Sequence, residues 1–494
     1  MNHIKSIIDM SIKDLEPKVV WGNFYGLTQV PRPSKHEGKV IEYLLQWGKD
    51  HGVEVFKDET GNVIFRAPAT PGYENRRGVI LQGHMDMVPQ KTSDSGHDFL
   101  TDPIKAYVDG DWVTADRTTL GADNGMGVAM GLAVCEDKSV EHGPVEVLVT
   151  YDEETGMTGA TALKPGILKG DILINLDSEE EGELCVGCAG GLDISAEFKY
   201  RKYPVKPGWK GLKLTVKGLQ GGHSGMDISL YRANANKVMA RILLPLMEVF
   251  GVQVVSFTGG SLRNAIPFEA EVEAVVPGEN LESVKKLIGN IFDEIKAEFK
   301  DSDPGAVLFV EDVPAAPKFI QGRVMLNVVK ALLACPSNVI RMSQVMEGLT
   351  ETSINMAIVR TEKGRVTVHS LMRSAVDTAK AALAQRVRCI FELAGADEIE
   401  FKGGYSGWTP KLDTPMNKVM MEQFQKVYGH PMKIMATHGG LECALLGAKY
   451  PNWEMVSIGP TIKYPHSPDE RVNIASVGRT WEYLKEVLKN VPEK

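Results

Sequence analysis

Short apolar runs bounded by turn residues alternate with helix-period segments in this chain, stop, and resume only after a long stretch of different texture. Asn62–Arg66, Gly78–Gln82, Val145–Thr150 and Asp171–Leu176 are the first runs. Val40–Asp50 carries apolar residues at helical spacing, and Gly125–Cys135, rich in Ala, Met and Gly, reads as a buried helix between two of the strands. Strands that are apolar on both sides need cover on both faces. The expected class is therefore α/β, with a mixed, largely parallel sheet and helices on both faces. After Gly190–Gly191 the texture changes. Leu192–Tyr200, Gly211–Gly218 and Ala270–Val276 alternate apolar and polar residues, with an amphipathic helix over Asn234–Phe250. A similar passage follows, with a helix at Val324–Leu333 and strands near Ser353–Val359 and Arg365–Leu371. SLRNAIP (Ser261–Pro267) and SINMAIV (Ser353–Val359) echo each other faintly, which suggests two tandem α+β units. Strand–helix alternation returns beyond Gly404, with Met416–Tyr428 helical, Trp453–Ile458 extended and Ile474–Leu488 helical. The expected organisation is a core domain over 1–190 and 404–494, interrupted by an α+β insert over 191–403.

Composition removes several function classes. The 494 residues include 64 acidic and 55 basic side chains, a formal net charge of -9, and no polybasic arm, which argues against nucleic acid as a partner. The most apolar stretch, Ile242–Phe257, is interrupted by Pro245 and Glu248, so no membrane span is expected. Asp9, Lys13, Asp14 and Glu16 stand where a signal peptide would place its apolar core, and six cysteines are too few for a disulfide framework at this length. Both readings point to a cytoplasmic protein. Cys185 and Cys188 form a lone CxxC without a second pair or a thioredoxin-like context, and are read as incidental thiols.

Five motifs place acidic or imidazole side chains where strands of an open α/β sheet deliver residues to their carboxyl edge. In VILQGHMDMVPQK, His84 and Asp86 project to one side of an extended chain. His84 could ligate a metal while Asp86 accepts its other ring N–H; a solvated turn is the alternative. In TTLGADNGMG, Asp123 lies in a glycine-rich turn that lacks the Lys-Ser/Thr of a phosphate loop and suits a bridging ligand. Glu153 and Glu154 stand side by side in VTYDEETG, where like charges cost stability unless a cation or proton compensates. Asp177 follows Ile172–Leu176, and His466 sits in a Pro-bounded loop, YPHSPDE. His84, Asp123, Glu154, Asp177 and His466 form a mixed imidazole and carboxylate set, suited to zinc, or to manganese or cobalt in its place. Five ligands exceed one tetrahedral site and fit two ions with one carboxylate shared.

GHMDMVPQK, TTLGADNGMG, INLDSEEEGE, GCAGG, KGLQGGHSG, LRNAIP, HGGLEC and VSIGPTIKYPHSPDE, spread over nearly the whole chain, resemble the di-zinc M20 metallopeptidases. The resemblance implies that His84 and Asp177 hold one Zn2+, that Glu154 and His466 hold the other, and that Asp123 bridges them. Asp86 then matches the family's His-orienting aspartate. Glu153 matches its general base, serving a hydroxide between the ions that attacks the peptide carbonyl. The insert corresponds to the family's lid. His223 in GGHSG, Asn264 in RNAIP and Arg373 in HSLMRS match substrate-binding positions of the lid, and His438 in HGGLEC joins them as a candidate for the substrate carboxylate. The family's usual acidic residue two places before this arginine is Leu371 here.

The activity implied is hydrolysis of unblocked dipeptides with broad specificity, with Xaa-His pairs as candidates. A deacylase or aminoacylase acting on N-acyl amino acids would share the metal core and is the nearer alternative. A catalytically silent peptide-binding scaffold is the other, and it would be marked by loss of Glu153 or a ligand; none is lost. An exposed sheet edge leaves pairing of two chains into a homodimer open.

Overall fold

The computed structural model describes residues 11–494; the part of the amino-terminal reading that rests on residues 1–10, Asp9 included, lies outside them. The chain folds into two compact units. One comprises the described chain up to Gly187, with Pro410–Ala436 and Leu441–Lys494, and the other Cys188–Thr409 with Thr437–Gly440.

The first unit is built on an eight-stranded sheet. It runs from Glu54–Lys57 at one edge through Val63–Ala67, Val145–Thr150, Val79–His84, Ile172–Asn175, Glu454–Ser457 and Glu183–Cys188 to Lys433–Thr437. The four central strands, from Val145–Thr150 to Glu454–Ser457, pair in parallel, and the pairings around Val63–Ala67 are antiparallel. The sheet is thus mixed with a parallel centre. Val79–His84, Val145–Thr150 and Ile172–Asn175 are buried along their whole lengths, which is why they read as apolar runs rather than as alternation. Their register aligns the carboxyl ends: His84 lies opposite Thr150, and Gln82 opposite Asn175. Whatever follows those residues is delivered to one edge.

The helix Ala122–Glu136 packs on Val79–His84 and is buried from Asn124 to Cys135. Apolar side chains such as Met126, Met130 and Leu132 have no contact with water there, and each contributes about 1.5–3 kcal/mol. Two glycines permit the close approach. A Cβ on Gly127 would collide with the carbonyl of Leu176, and one on Gly83 with the Asn124 side chain. Asn124 uses that space to accept from the His84 N–H at 3.2 Å and donate to the Leu176 carbonyl at 2.6 Å. The start of the helix is therefore bolted to the ends of two strands.

The second unit contains a nine-stranded sheet whose pairings are antiparallel. Its alternation is the predicted one: Ile194, Ala196 and Phe198 of Gly190–Lys199, and Leu212, Leu214 and Val216 of Trp209–Lys217, enter one core with the helices Ala235–Phe250, Leu281–Glu298, Gly322–Ala334 and Asp377–Leu393. The two α+β passages share this sheet. Gly190–Lys199 lies between Arg365–Ser374 and Glu398–Lys402, strands from the second passage. Among the described residues no helix is long and apolar enough to cross a membrane; Ile242–Phe257 divides into the end of one helix and the strand Gln253–Gly259.

Candidate metal centre

His84 is the last residue of its strand, Glu153 and Glu154 open a short helix after Thr150, and Asp177 follows Asn175 by two residues. All meet at the sheet's carboxyl edge. Asp123 enters from the first turn of Ala122–Glu136, where its own backbone departs from helical geometry and frees the carboxylate. His84 Nε2 lies 3.0 Å from Asp123 Oδ1 and 3.5 Å from Asp177 Oδ1. His466 Nε2 lies 3.0 Å from Asp123 Oδ2 and 3.0 Å from Glu154 Oε2. Asp123 therefore stands between two imidazoles, one oxygen toward each. His466 is held there with φ at 58°, in the left-handed region.

Behind His84, its Nδ1 is 3.1 Å from the Asp86 carbonyl oxygen and 3.3 Å from Asp86 Oδ1. The Asp86 carboxylate also accepts the backbone N–H groups of Glu153 at 3.0 Å and Glu154 at 3.2 Å. One buried carboxylate thus ties the imidazole to the turn carrying both glutamates.

The electrostatics are those of a site short of positive charge. Burial and nearby carboxylates push Asp177 up to about 6 and Glu153 well above the usual carboxylate range. Burial opposes the imidazolium form of His84, yet Asp177 and Asp123 outweigh it and raise its pKa. Hydrogen bonds to Asp123 and Glu154 raise His466 to about 11. Glu154 Oε1 is buried without a hydrogen-bond partner, a cost of about 1–3 kcal/mol or more if nothing else engages it. Two groups of converging donor atoms share Asp123, one with His84 and Asp177 and the other with Glu154 and His466; His84, Glu153 and Glu154 converge as well, without Asp123. Nitrogen and oxygen donors with a shared carboxylate and an orphaned oxygen fit a pair of divalent cations.

In the second unit, Gly222–His223 pairs with Ala265–Ile266, and the Ser224 N–H donates to the Asn264 carbonyl at 2.8 Å. His223 and Asn264, far apart in sequence, become neighbours. His223 Nδ1 accepts the N–H groups of Gly225 and Met226, which leaves a neutral ring with its proton on Nε2. A Cβ on Gly225 would sit 2.9 Å from the His438 carbonyl, 3.1 Å from the His223 ring and 3.3 Å from Arg373 Nε. His223, Arg373 and His438 thus converge on one glycine. Arg373 is 7% exposed, and its Nε is buried without a partner.

His438 Nε2 lies 2.7 Å from the Ser353 hydroxyl. Burial, then the Arg373 guanidinium, push its pKa from the ordinary 6.5 down to about 3. The folded ring is neutral where the unfolded ring takes up a proton, so the stabilisation is complete above about pH 6.5 and is lost as pH falls toward about 3. In that window wild type should lose up to ~1.4 kcal/mol per pH unit more than His438→Gln, read from urea midpoints at each pH. Parallel pH profiles for the two proteins would refute the buried neutral assignment.

Two buried carboxylates of the first unit were not singled out by the sequence reading. Glu442 accepts from Gln82 Nε2 and Thr150 Oγ1, both at 2.6 Å, and burial pushes it up to about 8. Glu470 accepts four backbone N–H groups, from Leu120, Gly121, Ala122 and Asp123, at 2.7–3.2 Å. Each acid lies within a quoted motif, HGGLEC or HSPDE, four residues after its histidine. Nothing local distinguishes either from a solvated side chain.

A mixed sheet with a parallel centre, carrying a histidine–carboxylate centre at its carboxyl edge and interrupted by an α+β insert, defines a metallopeptidase-like architecture. Residues 80–490 match Peptidase family M20/M25/M40, and the chain belongs to that metal-dependent family. The resemblance read from the motifs is borne out. The chain is 43% identical to the cytosol non-specific dipeptidase of Escherichia coli (strain K12), over 98% of this chain and 99% of that protein. The crystal structure of aminoacylhistidine dipeptidase from Vibrio alginolyticus superposes with a TM-score of 0.94 at 45% identity, covering 99% of this chain and 100% of that one. Aminopeptidase PepT from Bacillus cereus, at 17% identity and a TM-score of 0.57 over 97% and 99% of the two chains, shares the fold.

Proposed function

We propose that this protein is a metal-dependent dipeptidase of broad specificity that cleaves dipeptides with a free amino terminus. The observation that carries the metal chemistry is Asp123, with one oxygen toward His84 and the other toward His466, each imidazole beside a further carboxylate. The dipeptide substrate follows from the named activities of two relatives matched over nearly their whole length. His84 and Asp177 would hold one cation, Glu154 and His466 the other, and Asp123 both, with zinc as the cation these donors suit best and cobalt or manganese as substitutes. When bound, such a pair of ions lowers the pKa of water and draws charge from the scissile carbonyl.

The chain's own groups do the rest. Asp86 keeps the His84 Nδ1 proton in place and so aims Nε2. Glu153 belongs to neither half of the donor set around Asp123; its carboxylate takes a proton from the attacking water and passes it to the leaving amine. In the inserted unit, which we read as the family's lid, His223 contributes a neutral N–H donor. The Arg373 guanidinium, whose Nε is without a hydrogen-bond partner, receives the substrate carboxylate together with Asn264 and His438. A cationic receiver of this kind favours peptides that present a free carboxylate over those that lack one.

The test is a panel of free dipeptides, Xaa-His pairs included, run beside tripeptides and N-acetyl amino acids on metal-stripped and zinc-reconstituted protein. Dipeptide hydrolysis should disappear on stripping and return with zinc. Turnover that survives thorough metal removal would reject the metal chemistry, and a preference for N-acetyl substrates would favour the deacylase instead.

A further inference from the structure

We propose that Glu470 is the residue that presets Asp123 between its two imidazoles, acting as a positioning residue for the metal centre. The inference rests on the cation sites proposed above and extends them to a carboxylate that is no ligand. Glu470 is 2% exposed. One of its oxygens accepts the N–H groups of Leu120 at 2.8 Å and Gly121 at 3.0 Å, the other those of Ala122 at 2.7 Å and Asp123 at 3.2 Å. Four consecutive amides, the last belonging to Asp123 itself, are gathered on one anion. Gly121 is the N-cap and Ala122 and Asp123 open the helix, so three of the four are amides that a helix start leaves unsatisfied, and a carboxylate is the side chain that offers two acceptor atoms and no donor.

The clamp is anchored on the far side. The Glu470 carbonyl accepts from Thr114 Oγ1 at 2.8 Å, and the strand Arg471–Asn473 that begins beside it pairs with Trp112–Ala115. Burial pushes Glu470 up to about 7, its backbone amides oppose that shift, and the charge it carries is favoured electrostatically by Arg32, whose guanidinium donates to the carbonyls of Met85, Asp86 and Gly121. Arg32 thereby joins the loop after His84 to the loop before Asp123. The segment His466–Glu470 has two duties at once: His466 faces one oxygen of Asp123, while Glu470, four residues on, holds the backbone from which that carboxylate projects. Asp123 is common to both donor groups, so loosening its backbone should weaken both cation sites together rather than one.

The test uses full-length, metal-stripped protein and zinc titrated against a competing chromophoric chelator. In Glu470→Gln the amide nitrogen faces two N–H donors and two of the four bonds are lost, with nearly unchanged volume. Both zinc affinities should fall about 10–100-fold, and hydrogen exchange at amides 120–123 of the metal-free protein should quicken. Glu470→Asp, too short to reach all four amides, serves as the second variant and should fall between wild type and Gln. The control is Glu146→Gln: Glu146 is a buried carboxylate with the backbone amides of Lys169 and Gly170 on one oxygen and Arg66 on the other, and it holds no donor residue. It should lower the apo melting temperature and leave zinc affinity unchanged. Unaltered affinity in Glu470→Gln, or an equal loss in Glu146→Gln, would overturn the assignment and leave Glu470 a structural acid. Wild-type protein that binds fewer than two zinc ions would instead sink the parent reading, and this one with it.

Discussion

Glu153→Ala is expected to bind zinc at the wild-type stoichiometry and to lose about 10²–10⁴-fold in kcat, the usual worth of a positioned general acid or base. The expectation follows from position. Glu153 and Glu154 leave the end of Val145–Thr150 together, their amides fixed on the two oxygens of Asp86, so the turn places both carboxylates at the centre without choosing between them. Glu154 then goes to His466 at 3.0 Å, and Glu153 stays out of both donor groups around Asp123. A group at the centre but outside those sets can carry a proton without surrendering a ligand. Elemental analysis separates this role from ligation: a variant that loses zinc along with turnover makes Glu153 a ligand, and one that keeps full turnover removes it from the chemistry.

For Asp123→Ala the expected loss falls on binding. Removing one partner from a buried set of charges costs about 3–5 kcal/mol, or roughly 10²–10⁴-fold in affinity, and here both imidazoles lose the same partner. Zinc content should drop for both ions and hydrolysis should fall to background. The rise in melting temperature that zinc confers on wild type, which reflects its preference for the folded state, should vanish. A variant that kept one ion at wild-type affinity would show that Asp123 serves a single site. The two substitutions therefore part cleanly, since one spares the ions and loses turnover while the other loses the ions themselves.

Legibility from the sequence followed the range of each interaction. The strand ends were readable because burial on both faces leaves an unbroken apolar run, and the acids and histidines directly after those runs had nowhere to go but the carboxyl edge. His84, Glu153, Glu154 and Asp177 owe their placement to that rule. Asp123 was readable as a turn residue, but its turn proved to be the irregular start of a helix wedged against strand ends by Gly83 and Gly127. In the inserted unit the two passages looked like successive copies, whereas Gly190–Lys199 crosses to pair among the later strands. Period-two alternation specifies which face of a strand is buried and says nothing about its neighbour.

Sequence alone determined the kinds of side chain available and the local elements that carry them: an imidazole at a strand end, paired acids in a turn, a histidine in a Pro-bounded loop. Tertiary structure decided who meets whom. Asp123 reaches His466 across 343 residues, and Glu470 gathers amides 347 to 350 residues away. Residue type and periodicity are properties of a few neighbouring positions, whereas the register of parallel strands and the seating of one helix against their ends are settled by the packing of the whole unit. Glu470 shows the difference most sharply. As a letter in the chain it is one acid among 64, and only the fold turns it into the acceptor of four amides.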